Sequence, residues 1–148
     1  MAVGNSIQAI AARGFTLIEI MVVVVIIGLL AAIVAPNVIG NIDQAAITRA
    51  RQDVRSIETA LNLYRLDNFR YPSTDQGLQA LVSNPGQGVA PNWKAGGYLD
   101  RVPSDPWNNP YQYRNPGQQG EFDVWSFGAD GQPGGDDVDA DIGNWNLD

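Results

Sequence analysis

The sequence of 148 residues predicts an α+β protein, in which a long N-terminal α-helix packs on a small C-terminal domain with a short helix and a small antiparallel β-sheet. Three observations predict this fold. The N-terminal region holds an apolar run of membrane-spanning length, and an apolar stripe of helical period follows it. The remainder consists of short segments of alternating polarity, separated by turns rich in glycine and proline.

Residues 15–35 form the first predicted element, a transmembrane helix. Apart from Thr16 and Glu19, these 21 residues are apolar or glycine, enough to cross a hydrocarbon core of about 30 Å. The β-branched run 22–27 would also suit a buried strand, but the length of the whole segment and the lack of a turn signal favour a helix. Glu19 needs an explanation, because inserting an ionised carboxylate into a bilayer costs on the order of 3 kcal/mol.

The helix is expected to continue beyond the membrane. Pro36 and Gly40 interrupt the pattern, since a proline removes one backbone hydrogen bond and kinks or loosens the preceding turn. The helical pattern then resumes, and a continuous helix to about Asn68 would have some 54 residues and be roughly 80 Å long. Its apolar stripe, with spacings of three and four, consists of Ile47, Ala50, Val54, Ile57, Leu61 and Tyr64.

The C-terminal domain is predicted to consist of short elements. Residues 73–76 match the S/T-x-x-E/Q capping box and are expected to open a short helix through about Val82. Residues 111–114 and 121–127 alternate as strands do, and a turn at 115–117 joins them. The four tryptophans could form a platform for a sugar or a peptide, but in so small a domain they are expected to belong to the core.

Charge is distributed unevenly along the chain. Residues 1–120 hold all nine Lys and Arg against eight Asp and Glu, whereas residues 121–148 hold eight acids and no base. Such a tail would repel phosphates, and no run of Lys and Arg occurs, so nucleic acid is not an expected partner. Cysteine and histidine are both absent, which excludes disulfides, thiolate chemistry, the Ser-His-Asp triad and the usual zinc sites. We therefore do not expect an enzyme.

An acidic, glycine-rich stretch within the tail is a candidate calcium site. Carboxylate oxygens are calcium's preferred ligands, and glycines allow backbone carbonyls to turn inward. The spacing is not that of an EF-hand. A solvated acidic loop is the alternative, but closely spaced like charges repel one another unless a cation neutralises them. Five aspartates fall in this stretch: Asp130, Asp136, Asp137, Asp139 and Asp141.

Several segments resemble one family. GFTLIE, placed before a long apolar helix, resembles the processing and assembly motif of type IV pilin-like proteins. YRLDNFRYPSTDQGLQALV, GGYLDRVPSDPWNNPYQY and FGADGQPGGDDVDADIGNW are similar to the major pseudopilins of type II secretion systems, the G-type subunits. The resemblance covers nearly the whole chain from Gly14 onward. True type IV pilus subunits typically carry a C-terminal disulfide, so the absence of cysteine argues against that alternative.

The resemblance implies a role for each N-terminal site residue. A prepilin peptidase would remove the leader, residues 1–14, by cutting after Gly14. Phe15 would become the N-methylated amino terminus, and Glu19 would serve in assembly. Each mature subunit would then carry one cation and one anion at membrane depth, and the Glu19 carboxylate of one subunit could meet the Phe15 amine of its neighbour.

The resemblance also divides the rest of the chain. Residues 15–39 would be the transmembrane and assembly helix, and residues 40–148 a periplasmic domain with a calcium loop at about 127–143. The candidate calcium ligands are the backbone carbonyl of Phe127 and the carboxylates of Asp130, Asp137, Asp139 and Asp141.

The function implied is that of a structural subunit of the bacterial inner membrane. It would span that membrane once and polymerise as a helical homopolymer into the periplasmic pseudopilus, which drives export of folded proteins across the outer membrane. Its partners would be further copies of itself, minor pseudopilins, the inner-membrane assembly platform, the prepilin peptidase and inner-membrane lipid. The alternative from another class is a membrane-anchored periplasmic calcium-dependent enzyme or binding module.

Overall fold

One helix, α1, spans Leu17–Asn68 and has 52 residues. The computed structural model describes residues 14–148, so the leader up to residue 13 lies outside the described residues. The bounds of α1 include Pro36 and Gly40, so the continuous helix predicted from the sequence is confirmed. The chain divides into two compact units, the first ending at Ile39 and the second covering Gly40–Asp148.

The first unit contains the apolar part of α1. Leu17–Val34 is long and apolar enough to cross a membrane, and none of this segment is buried within the protein. Every large apolar side chain in it is at least half exposed, from 50% at Ile20 to 79% at Leu17. A helix that is apolar on all sides requires an apolar surrounding, which residues 14–148 do not provide.

The second unit has its core on one face of α1. Val54, Ile57 and Leu61 are fully buried, and Tyr64 nearly so, which confirms the apolar stripe read from the sequence. Burial of side chains of this size contributes about 1.5–3 kcal/mol each. The helix ends where Phe69 adopts a left-handed conformation (φ 60°) and its amide donates to the Arg65 carbonyl at 2.7 Å. The other buried members of this core are Ala60, Leu78, Ala80, Leu81, Ala90, Tyr111, Phe122 and Val124.

The segment after α1 contains the predicted capping box. The Ser73 amide donates to Gln76 Oε1 at 2.9 Å, and the Gln76 amide donates to Ser73 Oγ at 3.3 Å. The short helix that follows is a 3-10 turn, Leu78–Leu81, with Val82 at its C-cap, so the predicted short helix is present. Its short length places Leu78 and Leu81 in the core.

Three short strands form an antiparallel sheet in the order β1-β2-β3. The first two, β1 (Gln112–Arg114) and β2 (Asp123–Ser126), form the predicted hairpin. The third, β3 (Ile142–Gly143), was not predicted, and a second 3-10 turn, Asp137–Asp139, precedes it. These elements confirm the α+β class. They also place the acidic stretch between two paired strands, β2 and β3.

The tryptophans only partly follow the sequence expectation. Trp93 packs against the core and its indole N–H donates to the Ala80 carbonyl at 2.8 Å. Trp125 lies half-buried, with its ring 6.0 Å from that of Trp145. Trp145 is 39% exposed, so the assignment of this residue to the core was wrong.

Asp123 at the start of β2 makes folding sensitive to acid. It is fully buried and accepts hydrogen bonds from the Gln118 amide (2.6 Å), the Gln119 amide (3.1 Å) and the Arg114 guanidinium (3.2 Å). Burial by itself raises the pKa of Asp123, but these donors outweigh it and hold the pKa below its ordinary value. Its contribution to stability is therefore complete above the unfolded pKa and is lost as the pH falls through the lower folded pKa.

We expect Asp123→Asn to lower the free energy of unfolding at neutral pH by roughly 1–3 kcal/mol, because an amide cannot accept all three donors. The variant should also lose less stability than the wild type below about pH 4, where the ordinary aspartate titrates. Urea denaturation from pH 3 to 7 measures both effects, with Asp75→Asn, an exposed aspartate, as the matched control. Equal acid sensitivity in the wild type and Asp123→Asn would contradict this assignment.

Candidate functional site

The expected cleavage position lies in an open segment. Gly14, Phe15 and Thr16 precede the helix in non-helical backbone, and Phe15 is 82% exposed. No protein atom lies within 4 Å of the position that a Cβ on Gly14 would occupy. Neither the helix nor the rest of the described chain therefore covers this peptide bond, and the local structure leaves it accessible.

Glu19 forms a reciprocal cap with Thr16. The Thr16 amide and hydroxyl both donate to Glu19 Oε2, at 2.9 and 3.0 Å, and the Glu19 amide donates to Thr16 Oγ1 at 3.3 Å. This is a capping box, with threonine at the helix N-cap and glutamate three residues later. The positive end of the helix dipole adds to the stabilisation of the carboxylate. Sequence reasoning missed Thr16 as a partner of Glu19, although the T-x-x-E spacing was the signal.

The acidic loop, residues 127–143, is closed by contacts between backbone segments. The Ala129 amide donates to the Val138 carbonyl at 2.8 Å, which joins the entry of the loop to its second half. Gly128 has a φ of 74°, and a Cβ there would lie 2.7 Å from the Val138 carbonyl oxygen. Gly135 has a φ of 89°, and a Cβ there would collide with the Asp139 carbonyl. Only glycine fits at both positions, so the backbone of residues 138–139 lies directly against Gly128 and Gly135.

Two asparagines hold the exit of the loop. The side chain of Asn144 accepts from the Val124 amide and donates to the Phe122 carbonyl, both at 3.1 Å, which fixes the chain beside β2. The side chain of Asn146 accepts from the Gly143 amide and donates to the Asp141 carbonyl, both at 2.9 Å. Further along, the Arg55 guanidinium donates to the Leu147 carbonyl at 2.8 Å and attaches the segment to α1.

The candidate ligands differ in how the structure places them. Asp141 points inward: its Oδ2 accepts from the Gly134 amide at 3.1 Å, and its Oδ1 is buried with no hydrogen-bond partner. Asp130 is exposed and its Oδ1 accepts from the Gln132 amide at 3.0 Å. Asp137 and Asp139 lie on the 3-10 turn, and the backbone of Asp139 faces Gly128 and Gly135. The ring of Phe127 contacts that of Trp125, with centroids 5.8 Å apart.

The structure therefore does not gather these carboxylates into one cluster. Within residues 14–148, no three acidic side chains converge as a metal-binding group. Calcium, however, also accepts backbone carbonyls, so a site of one or two carboxylates with main-chain oxygens suffices. A buried carboxylate oxygen without a donor costs free energy unless a cation satisfies it. Among the candidate ligands, Asp141 is therefore the one whose side-chain oxygen could accept a cation.

Comparison with known proteins gives consistent results. Residues 37–145 match the family "Type II secretion system (T2SS), protein G", and residues 11–35 match the prokaryotic N-terminal methylation motif. The chain is 60% identical over 133 residues to the type II secretion system core protein G of Pseudomonas aeruginosa, covering 89% of this chain and 94% of that protein. It is 54% identical to the core protein G of Vibrio cholerae, covering 90% of this chain and 92% of that protein.

A solved structure is similar as well. The major pseudopilin from the type 2 secretion system of enterohaemorrhagic Escherichia coli superposes with a TM-score of 0.64 at 47% sequence identity. The match covers 74% of this chain and 95% of that chain.

Proposed function

The chain belongs to the type II secretion system protein G family, and from this premise we propose how it is processed, assembled and stabilised. It is a structural subunit of the pseudopilus, the fibre of type II secretion. The observation that carries the proposal is the exposed apolar helix with a carboxylate, Glu19, in its first turn. Such a helix needs both an apolar surrounding and a compensating cation, and a bundle of processed copies supplies both.

Processing comes first. The match to the N-terminal methylation motif implies a prepilin peptidase, and we place its cut between Gly14 and Phe15, in the open segment before α1. Cleavage converts the Phe15 amide into an amine, and methylation of that amine keeps its positive charge. The mature helix then has an amine and a carboxylate within its first turn and a half.

We expect Gly14→Val to block processing, because a β-branched side chain next to the cut bond would obstruct a peptidase that accepts glycine. Gly14→Ala, with the smallest possible side chain, should be processed poorly but detectably. Mass spectrometry of the amino terminus measures the result: the wild type should begin at a methylated Phe15, and Gly14→Val should retain residues 1–14. Cleavage of Gly14→Val at the normal rate would contradict the assignment.

Assembly follows from Glu19. In the single subunit the Thr16 amide and hydroxyl donate to the carboxylate, which satisfies its hydrogen bonding but does not compensate its charge. In the fibre, Glu19 of one copy exchanges part of this cap for the Phe15 amine of its neighbour. A poorly solvated ion pair of this kind adds little net stability but tolerates few alternative registers, so it fixes how one copy docks on the next.

Calcium is proposed for the acidic loop. Asp141 would bind through its buried Oδ1, with Asp130, Asp137, Asp139 and the Phe127 carbonyl as the other candidate ligands. When bound, the ion neutralises aspartates that repel one another. The loop's glycines and the asparagines at its exit then hold the oxygens in place.

Location and partners complete the proposal. The segment Leu17–Val34 would lie in the bacterial inner membrane, with residues 40–148 in the periplasm. Further copies of the chain, minor pseudopilins and the inner-membrane assembly platform would contact it during assembly. Measuring whether the chain assembles into fibres tests the proposal. Variants of Glu19 distinguish the role of its charge from its role in capping the helix.

A further inference from the structure

The segment DPWNNP, residues 105–110, contains a buried carboxylate that the function described so far does not use. Asp105 is 3% exposed, and its Oδ1 accepts from the amides of Trp107 (3.0 Å) and Asn109 (2.7 Å). These two bonds are local and fold the segment into a turn. The other oxygen, Oδ2, faces away from the turn and accepts from the hydroxyl of Ser126, 21 residues further along the chain, at 2.6 Å.

Ser126 connects Asp105 to the acidic loop through two hydrogen bonds of its hydroxyl. It is fully buried at the end of β2, and its Oγ, which donates to Asp105, accepts from the Gly128 amide at 3.1 Å. The Asn109 side chain adds a longer contact, from Nδ2 to the Gly128 carbonyl at 3.4 Å. Because the Ser126 hydroxyl has one proton and Asp105 accepts it, the oxygen can only be an acceptor toward Gly128. Because the Gly128 N–H can only donate and the carboxylate can only accept, the direction of the relay is fixed at both ends.

The bond to the Gly128 amide also orients a carbonyl. The Phe127 carbonyl and the Gly128 N–H belong to the same planar peptide unit, in which they point in opposite directions when the bond is trans. Fixing the N–H on Ser126 therefore aims the Phe127 carbonyl away from the buried serine. Little space remains on the other side of Gly128, since a Cβ there would lie 2.6 Å from the Asp139 carbonyl carbon and 2.7 Å from the Val138 carbonyl oxygen.

We propose that Asp105 and Ser126 are positioning residues for the calcium loop, through a relay that runs from the Asp105 carboxylate to the Ser126 hydroxyl and the Gly128 amide. The relay holds the first peptide of the loop in the orientation that presents the Phe127 carbonyl as a ligand. The inference deepens the proposed calcium site and rests on it. It gives the DPWNNP turn, which precedes β1, a role beyond its local hydrogen bonds: the turn holds Ser126 at the point where the loop begins.

The test compares Ser126→Ala with a matched control. Thr74 also uses its hydroxyl as a bridge, accepting from the Asn115 amide and donating to the Asn115 carbonyl, both at 3.0 Å, but it lies outside the loop. In the full-length chain in detergent, Ser126→Ala should weaken calcium binding by about tenfold or more, as the loss of an outer-shell partner typically does. Thr74→Ala should lower the melting temperature in chelator while leaving calcium affinity unchanged. Isothermal titration with calcium chloride measures the affinity.

A second measurement does not depend on the metal. In chelator, amide hydrogen exchange at Gly128 should be about tenfold faster in Ser126→Ala than in the wild type, and unchanged in Thr74→Ala. Asp105→Asn, of nearly equal size, should show the same pattern because its Nδ2 cannot accept the Ser126 proton. Wild-type calcium affinity in Ser126→Ala, or an equal loss in Thr74→Ala, would overturn the proposal. If the wild type binds no calcium, the calcium site fails, and the exchange rate at Gly128 alone then decides whether the relay exists.

Discussion

Replacing Glu19 with leucine is expected to reduce fibre assembly strongly and leave membrane insertion intact. Breaking a buried charge pair by removing one partner costs about 3–5 kcal/mol. At about 1.4 kcal/mol per factor of ten, addition of a subunit should become roughly a hundredfold less favourable, or worse. Insertion should not suffer, because leucine improves the transfer of the segment into lipid. Shearing of surface fibres from overproducing cells measures assembly, and membrane fractionation measures insertion.

The capping box supplies a control that separates charge from helix capping. Glutamine serves at the third position of a capping box as well as glutamate does, so Glu19→Gln should keep the bonds to Thr16 and lose only the charge. We expect it to assemble as poorly as Glu19→Leu. Glu19→Asp, which keeps the charge on a shorter side chain, should be intermediate. If Glu19→Gln formed fibres at the wild-type level, the cap and not the charge pair would be the function of this residue.

Removal of calcium is expected to lower the melting temperature of the domain, residues 40–148, by roughly 10–20 °C. A ligand that binds only the folded state at a hundredfold excess over its dissociation constant contributes about 2.7 kcal/mol. In a domain of this size each kcal/mol corresponds to about 4–8 °C. Differential scanning calorimetry in calcium and in chelator measures the shift, and limited proteolysis should locate new cuts between Gly128 and Gly143.

Variants of the loop should reproduce the effect of the chelator. Asp141→Asn replaces the oxygen that has no partner in the described structure with a neutral group, and it should melt in calcium as the wild type does in chelator. Asp75→Asn, far from the loop in sequence, should keep the full calcium response. Magnesium should substitute poorly, because it demands octahedral geometry and releases its waters reluctantly. Identical melting curves in calcium and chelator would restore the interpretation of the loop as a solvated acidic segment.

Much of the fold was predictable because its signals are local. The apolar residues from Ala50 to Tyr64 repeat at helical spacing, which predicts that they share one buried face of the helix. The structure buries these residues. The capping box at Ser73 was read from four consecutive residues, and both of its hydrogen bonds are present. The same four-residue pattern at Thr16 was available and would have given Glu19 its partner.

The parts that were missed depend on contacts between distant segments. β3 has two residues, one of them glycine, and it pairs with β2 with the help of the Asn144 side chain, 20 residues from its partner Val124. A strand of two residues is too short to show the alternating pattern that predicts strands from sequence. The candidate site was located as a region, yet the inward direction of Asp141 and the outward position of Asp130 follow from the loop's backbone conformation. An aspartate's orientation in a glycine-rich loop is not determined by its neighbours in sequence.

The exposure of the apolar half of α1 sets an energetic condition on how the fibre grows. A large aliphatic side chain transferred from an apolar medium to water costs on the order of 2 kcal/mol, which amounts to tens of kcal/mol for Leu17–Val34 as a whole. If a subunit left the bilayer before it joined the fibre, the whole transfer free energy of this segment would have to be supplied in a single step. Withdrawal and addition must therefore coincide, with neighbouring helices covering each turn as lipid releases it. The work of adding a subunit is then only the difference in free energy between two apolar environments, the lipid and the packed helices of the fibre.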